Sequence, residues 1–341
     1  MKTYLQRLTD RESFTEVEMQ EAMEQLFSQE TTDSEIAAFL IGLKTKGETI
    51  DEIVGLVKAM REKALRFNTK IPNVMDNCGT GGDGLKTFNI STTSAFVLAA
   101  AGIPVAKHGS RSVSSKTGSA DVLEYLGVNL NLPPEVSEEL IQEVGISFLF
   151  APHVHPKTKR IVKVRQDLRI PTIFNLIGPL TNPVELESQL LGIYRRDLLN
   201  VLAEVLKNLG RKRAVVLNGA GFADEASLAG ENHLSILENG EIRNLTITPD
   251  DVGLPVYELN QIRGGDSPEN ADIMLRVLKG EKGACRDTVL LNAGIGIFAN
   301  GKVSTIQEGV KVARESIDSG AALQKLEILI EKSNAYKAEV I

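Results

Sequence analysis

The chain has 341 residues, of which 42% are hydrophobic and 24% charged, a balance that allows a large core and roughly two domains of about 150 residues each. A net charge of −7 and a pI near 5.4 argue against a general nucleic-acid-binding surface and leave room for a local basic pocket. Two distant cysteines, Cys78 and Cys285, without CxxC spacing argue against a disulfide framework or a zinc site and fit a reducing cytoplasm.

The opening stretch MKTYLQRLTDRESFTEVEM has no apolar segment of the signal-peptide kind, and the longest apolar run, AFVLAAAGIPVA, is too short for a bilayer. Residues 1–68 read as helices only. Thr32 and Glu35 have capping-box spacing, Gly47 closes the segment, and Ile36, Phe39, Leu40 and Leu43 recur at helical spacing. Thr49 and Glu52 repeat the device ahead of Ile53, Val57 and Met60. Two such helices in succession predict an antiparallel pair, whose apolar face needs a partner in the rest of the chain or in a second subunit. RFNTKIPN then reads as a hinge. From residue 74 the character changes to α/β. NVMDNCG, IPVAKHG, RKRAVVLNGAG and DTVLLNAG read as strands, with helices such as STTSAFVLAAAG and ADVLEYLG between them. That alternation predicts a mostly parallel central sheet flanked by helices, in a large domain over 74–341 beside a small helical domain over 1–68.

Chemistry concentrates in loops. GTGGDG, residues 79–84, is nearly free of side chains and runs through LKTF to an Ala-rich helix, with Asn89, Ser91 and Thr92 as candidate caps. Backbone N–H groups and a helix dipole converging there suit an anion. No Gly-Lys-Ser/Thr follows, so the loop is not a Walker A motif. The next loop places Lys107, His108, Arg111 and Lys116 among Ser110, Ser112, Ser114 and Ser115, with Ser119 as the expected cap of the following helix. Cations interleaved with hydroxyls suit phosphate oxygens. Asp224 and Glu225 are adjacent carboxylates after a strand, the donor set for Mg²⁺ shared with phosphates, although surface pairs of this kind are common. Arg165 falls within the apolar stripe of Ile161, Val164 and Leu168, where it wants either an anionic ligand or a structural ion pair. His153 and His155 suit lining a pocket or capping a helix better than holding a metal. Gly294, Gly296 and Ala299 imitate a dinucleotide fingerprint, but no acidic residue follows at the required distance, and close packing of a helix on the sheet explains them better.

Taken together, DNCGTGGDG, FNISTTSA, KHGSRSVSSKTGSADVLE, FLFAPHVHP, TIFNLIGPLTNP and DEAS resemble the anthranilate phosphoribosyltransferases, in order and over nearly the whole chain. The resemblance implies a nucleoside-phosphorylase-like fold, a discontinuous helical domain that includes a segment near 155–185, and a cytoplasmic homodimer joined through the helical domains. It implies that Gly79, Gly82, Asp83, Thr87, Asn89, Ile90, Ser91 and Thr92 bind 5-phosphoribosyl 1-pyrophosphate. Lys107, His108, Gly109, Ser110, Arg111, Ser112, Val113, Ser114 and Ser115, with Ser119, complete that site. Ser91 ligates one Mg²⁺, Asp224 and Glu225 hold a second, and Arg165 meets the anthranilate carboxylate. Ser110 departs from the family, which usually has Asn at this position on the acceptor side, and the segment after His155 departs too. The implied reaction is displacement of pyrophosphate at ribose C1 by the anthranilate amine, with inversion and no covalent nucleophile, as the second step of tryptophan biosynthesis from chorismate. The rival readings are a pyrimidine nucleoside phosphorylase, which needs no carboxylate pair for metal, and a non-catalytic nucleotide- or nucleic-acid-binding relative, which the acidic pI disfavours.

Overall fold

The computed structural model describes residues 1–112 and 117–336. The chain opens with four helices, Lys2–Thr9, Glu16–Phe27, Asp33–Lys46 and Ile50–Glu62. The last three begin with capping boxes, Thr15 with Glu18, Thr32 with Glu35 and Thr49 with Glu52, in which hydroxyl and carboxylate each accept an otherwise orphaned N–H. Glu52 is also a buried anchor. It accepts from Phe14 N at 2.9 Å, from Thr49 N at 2.8 Å and from Lys46 Nζ at 2.8 Å, so its charge is desolvated but fully partnered.

The expected pairing of neighbours is not what forms. Ile50–Glu62 packs chiefly on Glu16–Phe27, whereas Asp33–Lys46 packs on Lys2–Thr9 and on a helix far along the chain, Lys159–Leu168. Glycines select these partners. A Cβ on Gly55 would lie 2.4 Å from the Glu16 carbonyl oxygen, and one on Gly42 would lie 3.1 Å from Leu8 Cβ, so each bare backbone admits a close neighbour. Ile161, Val164, Ile173, Leu176, Ile177 and Leu180 are buried in the same core as Ile36, Phe39 and Leu40. Arg160 and Lys163 bracket Asp33 at the exposed rim of that contact.

The rest is built on one seven-stranded sheet: β1 Met75–Asp76, β2 Val105–Gly109, β3 Ile146–Phe150, β4 Ser188–Gly192, β5 Arg213–Asn218, β6 Asn232–Glu238 and β7 Glu241–Ile247. The order is β3-β2-β1-β4-β5-β6-β7. The first five are parallel, with Val105 opposite Ile146 and Ser188 opposite Arg213 and Met75 in register with both Val105 and Ser188. β6 and β7 close the sheet as an antiparallel hairpin. Side chains alternate between faces, as the pleat requires. Leu190, Val215 and Leu217 pack under the helices Ile90–Ala100 and Ala284–Asn300, while Leu191, Ala214 and Val216 pack against Leu199–Asn208.

Three of the four predicted strands form, as β1, β2 and β5. DTVLLNAG does not: it lies inside the 17-residue helix Ala284–Asn300, which is buried almost all round and so shows no period. A continuous apolar run cannot by itself distinguish a buried strand from a buried helix. Its glycines admit neighbouring helices as well as the sheet contact expected of them, Gly296 facing Leu190 of β4. A Cβ on Gly294 would meet Val310 N at 2.7 Å, and one on Gly296 would meet Leu98 at 2.9 Å. No helix among the described residues is long and apolar enough to cross a membrane.

Replacing Gly55 by Ala should force the Glu16–Phe27 helix outward and cost about 1–3 kcal/mol, read as a lower urea midpoint at unchanged m-value.

Candidate active site

The strand order reverses between β1 and β4, and the predicted loops meet beyond the carboxyl ends of those strands, where open α/β sheets bind ligands. Gly79 leaves β1 and bridges Gly192 at the end of β4, and Thr80 N donates to Gly192 O at 2.9 Å. Between them lies Asp224, from the loop after β5. A Cβ on Gly79 would stand 2.4 Å from Asp224 Oδ2, and one on Gly192 would stand 1.6 Å from the Asp224 carbonyl oxygen. Only glycine fits at either place. Asp224 Oδ2 accepts the Gly81 N–H at 2.6 Å, and Gly81 and Gly82 hold φ of +67° and +86° to bring that amide round. Asp83 accepts from Leu85 N at 3.0 Å, and its second oxygen faces the Asp224 amide at 3.5 Å.

The loop leads into Ile90–Ala100 through Thr87, whose backbone bridges Arg263. Asn89 occupies the N-cap position, but its side chain caps nothing. Its oxygen accepts from Asn270 at 2.9 Å and its amide points to Thr117 O at 3.5 Å. Ser91 and Thr92, expected as alternative caps, lie within the first turn beside Ile90. Ser91 N donates to Glu225 Oε1 at 3.2 Å, so the second carboxylate, not a local side chain, meets the helix N-terminus.

β2 delivers Lys107, His108 and Gly109, all buried. Lys107 Nζ lies 3.5 Å from Asn77 O, and its charge draws the Glu225 carboxyl pKa downward against burial. Ser110 is exposed, and its carbonyl accepts from Ala120 N at 3.2 Å and Ser119 Oγ at 3.3 Å. The expected cap at Ser119 is instead Gly118, because Asp121 folds back to accept from Gly118 N at 2.8 Å and Ser112 N at 3.0 Å. Arg111 forks onto Glu124 at 2.7 and 2.9 Å and touches Asp121 at 3.0 Å, so its charge is already matched. Val113, Ser114, Ser115 and Lys116 lie outside the described residues.

On the opposite side His108 and His155 stand edge to face, 5.4 Å between ring centres. Burial, reinforced for His108 by neighbouring cationic groups, holds His108 well below the usual histidine range and His155 at about 4, so both rings are neutral near pH 7. His108 Nε2 has no hydrogen-bond partner among the described residues. Arg165 forms no ion pair with any described residue; it stacks 5.4 Å over the Phe174 ring and reaches Asn175 Oδ1 at 3.4 Å, and burial lowers its pKa. Of the two readings for Arg165, the structural ion pair is the one that fails. His153 is turned to the Leu132 carbonyl at 3.1 Å.

Asp224 and Glu225 carry the electrostatic tension of the site. Burial, then the neighbouring Glu225 and Asp83 charges, push Asp224 well above the usual carboxylate range. Burial raises Glu225 to about 7. Two desolvated carboxylates facing a phosphate-type loop suit a hard divalent cation. Among the described residues no group of three or more His, Cys, Asp and Glu side chains has metal-holding geometry, so water and substrate oxygens would complete the shell of an ion on Asp224 and Glu225. Asp76 and Asn182 lie within the quoted motifs DNCGTGGDG and TIFNLIGPLTNP but were assigned no role of their own. Asp76 accepts from Asn182 Nδ2 at 3.0 Å and His108 N at 3.3 Å, tying β1 to β2 and to the TIFNLIGPLTNP segment. The signal for a role at Asp76 was an acidic residue within an otherwise apolar strand.

A glycine-rich loop on a helix N-terminus, a buried lysine on the next strand and a carboxylate pair at the switch point suit a polyanionic ligand with a divalent cation, and the family match places the chain among glycosyl transferases. The description of a glycosyl transferase family a/b domain matches residues 71–323, and that of its helical bundle domain matches residues 2–64. More narrowly, the chain belongs to the anthranilate phosphoribosyltransferase family. It is 60% identical over 334 residues to the anthranilate phosphoribosyltransferase of Bacillus cereus strain B4264, covering 98% of each chain, and 59% identical to that of Bacillus anthracis strain A0248 over the same span. The crystal structure of the Thermus thermophilus enzyme superposes with a TM-score of 0.92 at 41% identity, covering 97% of this chain and 99% of that one. The Saccharomyces cerevisiae enzyme in complex with PRPP and Mg superposes with a TM-score of 0.90 at 25% identity, covering 98% of each chain.

The raised carboxyl pKa values set a pH dependence. Glu225 is protonated in both folded and unfolded chains below its ordinary 4.5; between 4.5 and about 7 the unfolded chain releases the proton and the folded chain keeps it. Metal-free protein should therefore lose stability as pH rises through that window, seen as a falling Tm. Asp224→Asn, which retains an acceptor for Gly81 N–H, should flatten the loss and raise the Tm of metal-free protein at pH 8 while abolishing turnover.

Proposed function

We propose that this site transfers the phosphoribosyl group of 5-phosphoribosyl 1-pyrophosphate to the amine of anthranilate, releasing pyrophosphate in tryptophan biosynthesis. The carrying observation is the Asp224–Glu225 pair, locked by backbone bonds to the donor loop and to the Ser91 amide. A phosphorylase reading leaves those desolvated carboxylates without a purpose. One Mg²⁺ on Ser91 and a second held by Asp224 and Glu225 would neutralise the pyrophosphate and make it a better leaving group.

The residues divide the remaining work. Gly79, Gly82, Asp83, Thr87, Asn89 and the first turn from Ile90 to Thr92 bind the phosphoribosyl donor through backbone donors and hydroxyls. Lys107 supplies buried positive charge to the leaving group, and the segment from His108 to Ser115 with Ser119 closes the donor site. Arg165, lacking an acidic partner among the described residues, binds the anthranilate carboxylate. His108, neutral and with a free Nε2, orients the amine. Aniline nitrogen is unprotonated at neutral pH, so alignment rather than a strong base brings it to C1.

We further propose that residues 1–68 and the segment near 155–185 form one helical domain, and residues 74–341 otherwise the donor-binding domain. The shared burial of Ile161 and Val164 with Ile36 and Phe39 supports that division. Closure of the two over the acceptor would exclude water that hydrolyses the donor. Half-buried Tyr4 and Leu5 and exposed Val17 offer an apolar surface for a homodimer in the cytoplasm.

Loss of anthranilate fluorescence with the phosphoribosyl donor and Mg²⁺, abolished by EDTA, tests the reaction; donor binding without turnover would sink the acceptor assignment. Arg165→Ala should raise the KM for anthranilate by roughly 10–100-fold and leave the donor KM within about threefold.

A further inference from the structure

The turn that carries the carboxylate pair is itself held from the strand beside it. Between Asn218 and Asp224 the chain closes a tight loop, in which Gly219 N donates to Ala223 O at 2.9 Å and the two residues form an antiparallel bridge. Gly219 must be bare, because a Cβ there would lie 2.1 Å from the Glu225 carbonyl oxygen. Phe222 completes the turn at φ +61°, a left-handed conformation that a bulky side chain rarely takes, and its ring is left 59% exposed. Arg196, from the segment after β4, stacks over that ring with its Cζ 4.8 Å from the ring centre. Arg196 Nε also donates to Asn218 Oδ1 at 2.8 Å. Asn218 is fully buried, and its Nδ2 donates to Ile193 O at 2.8 Å and to Ala223 O at 3.3 Å. One amide thus joins the end of β4 to the residue just before Asp224. The neighbouring Arg195 is matched by Asp197 at 2.8 Å, whereas Arg196 forms no ion pair with a described residue.

We propose that Arg196 is a positioning residue for the Asp224–Glu225 pair, acting through Asn218. A guanidinium carries donors only, so it holds Asn218 Oδ1 toward itself and Nδ2 toward the two carbonyls. The Phe222 ring keeps the guanidinium in place, and the guanidinium in turn keeps the turn in its left-handed form. Both contacts lie within two residues of Asp224, whose Oδ2 then meets Gly81 N. Loss of Arg196 would leave a buried acceptor unpaired and let the turn relax away from the donor loop. This role rests on the reading that the pair holds a divalent cation, and it carries its own sign. Through charge alone a neighbouring cation opposes metal binding, so deleting it should tighten the hold on metal. Deleting a positioning group should loosen it.

Mn²⁺ alone, titrated into the full-length protein without donor and followed by water-proton relaxation, reads the pair without turnover. Arg196→Ala should weaken Mn²⁺ binding roughly 10-fold. Arg196→Gln, whose amide nitrogen falls where Nε stood and which lacks the charge, should bind Mn²⁺ within about threefold of wild type. In turnover, Arg196→Ala should raise the Mg²⁺ requirement by a similar factor and leave the KM for anthranilate unchanged. Mn²⁺ binding by Arg196→Ala as tight as that of wild type or tighter, or an equal loss in Arg196→Gln, would overturn the role. Asp224→Asn is the reference for the metal reading and should abolish Mn²⁺ binding; binding retained there would sink that reading and this role with it, whereas binding lost there and kept in Arg196→Ala would sink this role alone.

Discussion

The site is organised around negative charge held where water cannot fully solvate it. Asp224 and Glu225 face the donor loop with only Lys107 as a nearby cation among the described residues, and burial raises both pKa values. Everything adjacent is shaped to keep that pair in place. Gly79 and Gly192 are bare because the Asp224 backbone and carboxylate occupy the space of their side chains. Gly81 takes a left-handed conformation to donate its amide. The helix at Ile90 leaves an amide for Glu225 because Asn89 turns its side chain to Asn270. The repulsion is relieved by proton uptake or by a ligand that brings cationic charge, so cation affinity and the pH-dependent instability of the empty site have one origin.

The side proposed for the acceptor uses the opposite means. His108 and His155 are kept neutral by burial, and Arg165 retains a charge with no described acid to quench it. Arg165 comes from a helix that packs on the N-terminal bundle, whereas His108 comes from the sheet. His108 and Arg165 are therefore carried by elements with different cores, joined through Asn182, which bonds to Asp76, Ala106 O and, through its own carbonyl, Arg61 Nε.

The sequence revealed what is local. Capping boxes at Thr32 and Thr49 and the glycine-rich loop were legible because each is contained in a few residues. DTVLLNAG was misread because total burial erases helical period. β3, β4 and the β6–β7 hairpin escaped notice: β3 and β4 are five-residue runs buried on both faces and so without a period, and the Asn-Gly signal of the Asn239–Gly240 turn that joins β6 to β7 was missed. Within the site, the residue types at 79–92, 107–112 and 224–225 pointed to anion chemistry, but partners did not follow from type. Arg111 is matched by Glu124, and Gly118 rather than Ser119 begins its helix because Asp121 reaches back to two amides. The Asp76–Asn182 tie joins positions more than a hundred residues apart, beyond the reach of any local pattern.

The strand order also governs the sequence of events in which the protein is made. β1 is two residues long and lies between β2 and β4, so one of its edges stays open until residues 188–192 have left the ribosome. Gly192, which Gly79 pairs with, arrives at the same moment, and Asp224 later still. The N-terminal helices can assemble among themselves early, but the donor loop acquires its shape only once two thirds of the chain has been synthesised. A nascent chain stalled before that point would present an unpaired strand edge, which is the kind of surface that chaperones shield and that recruits aggregation.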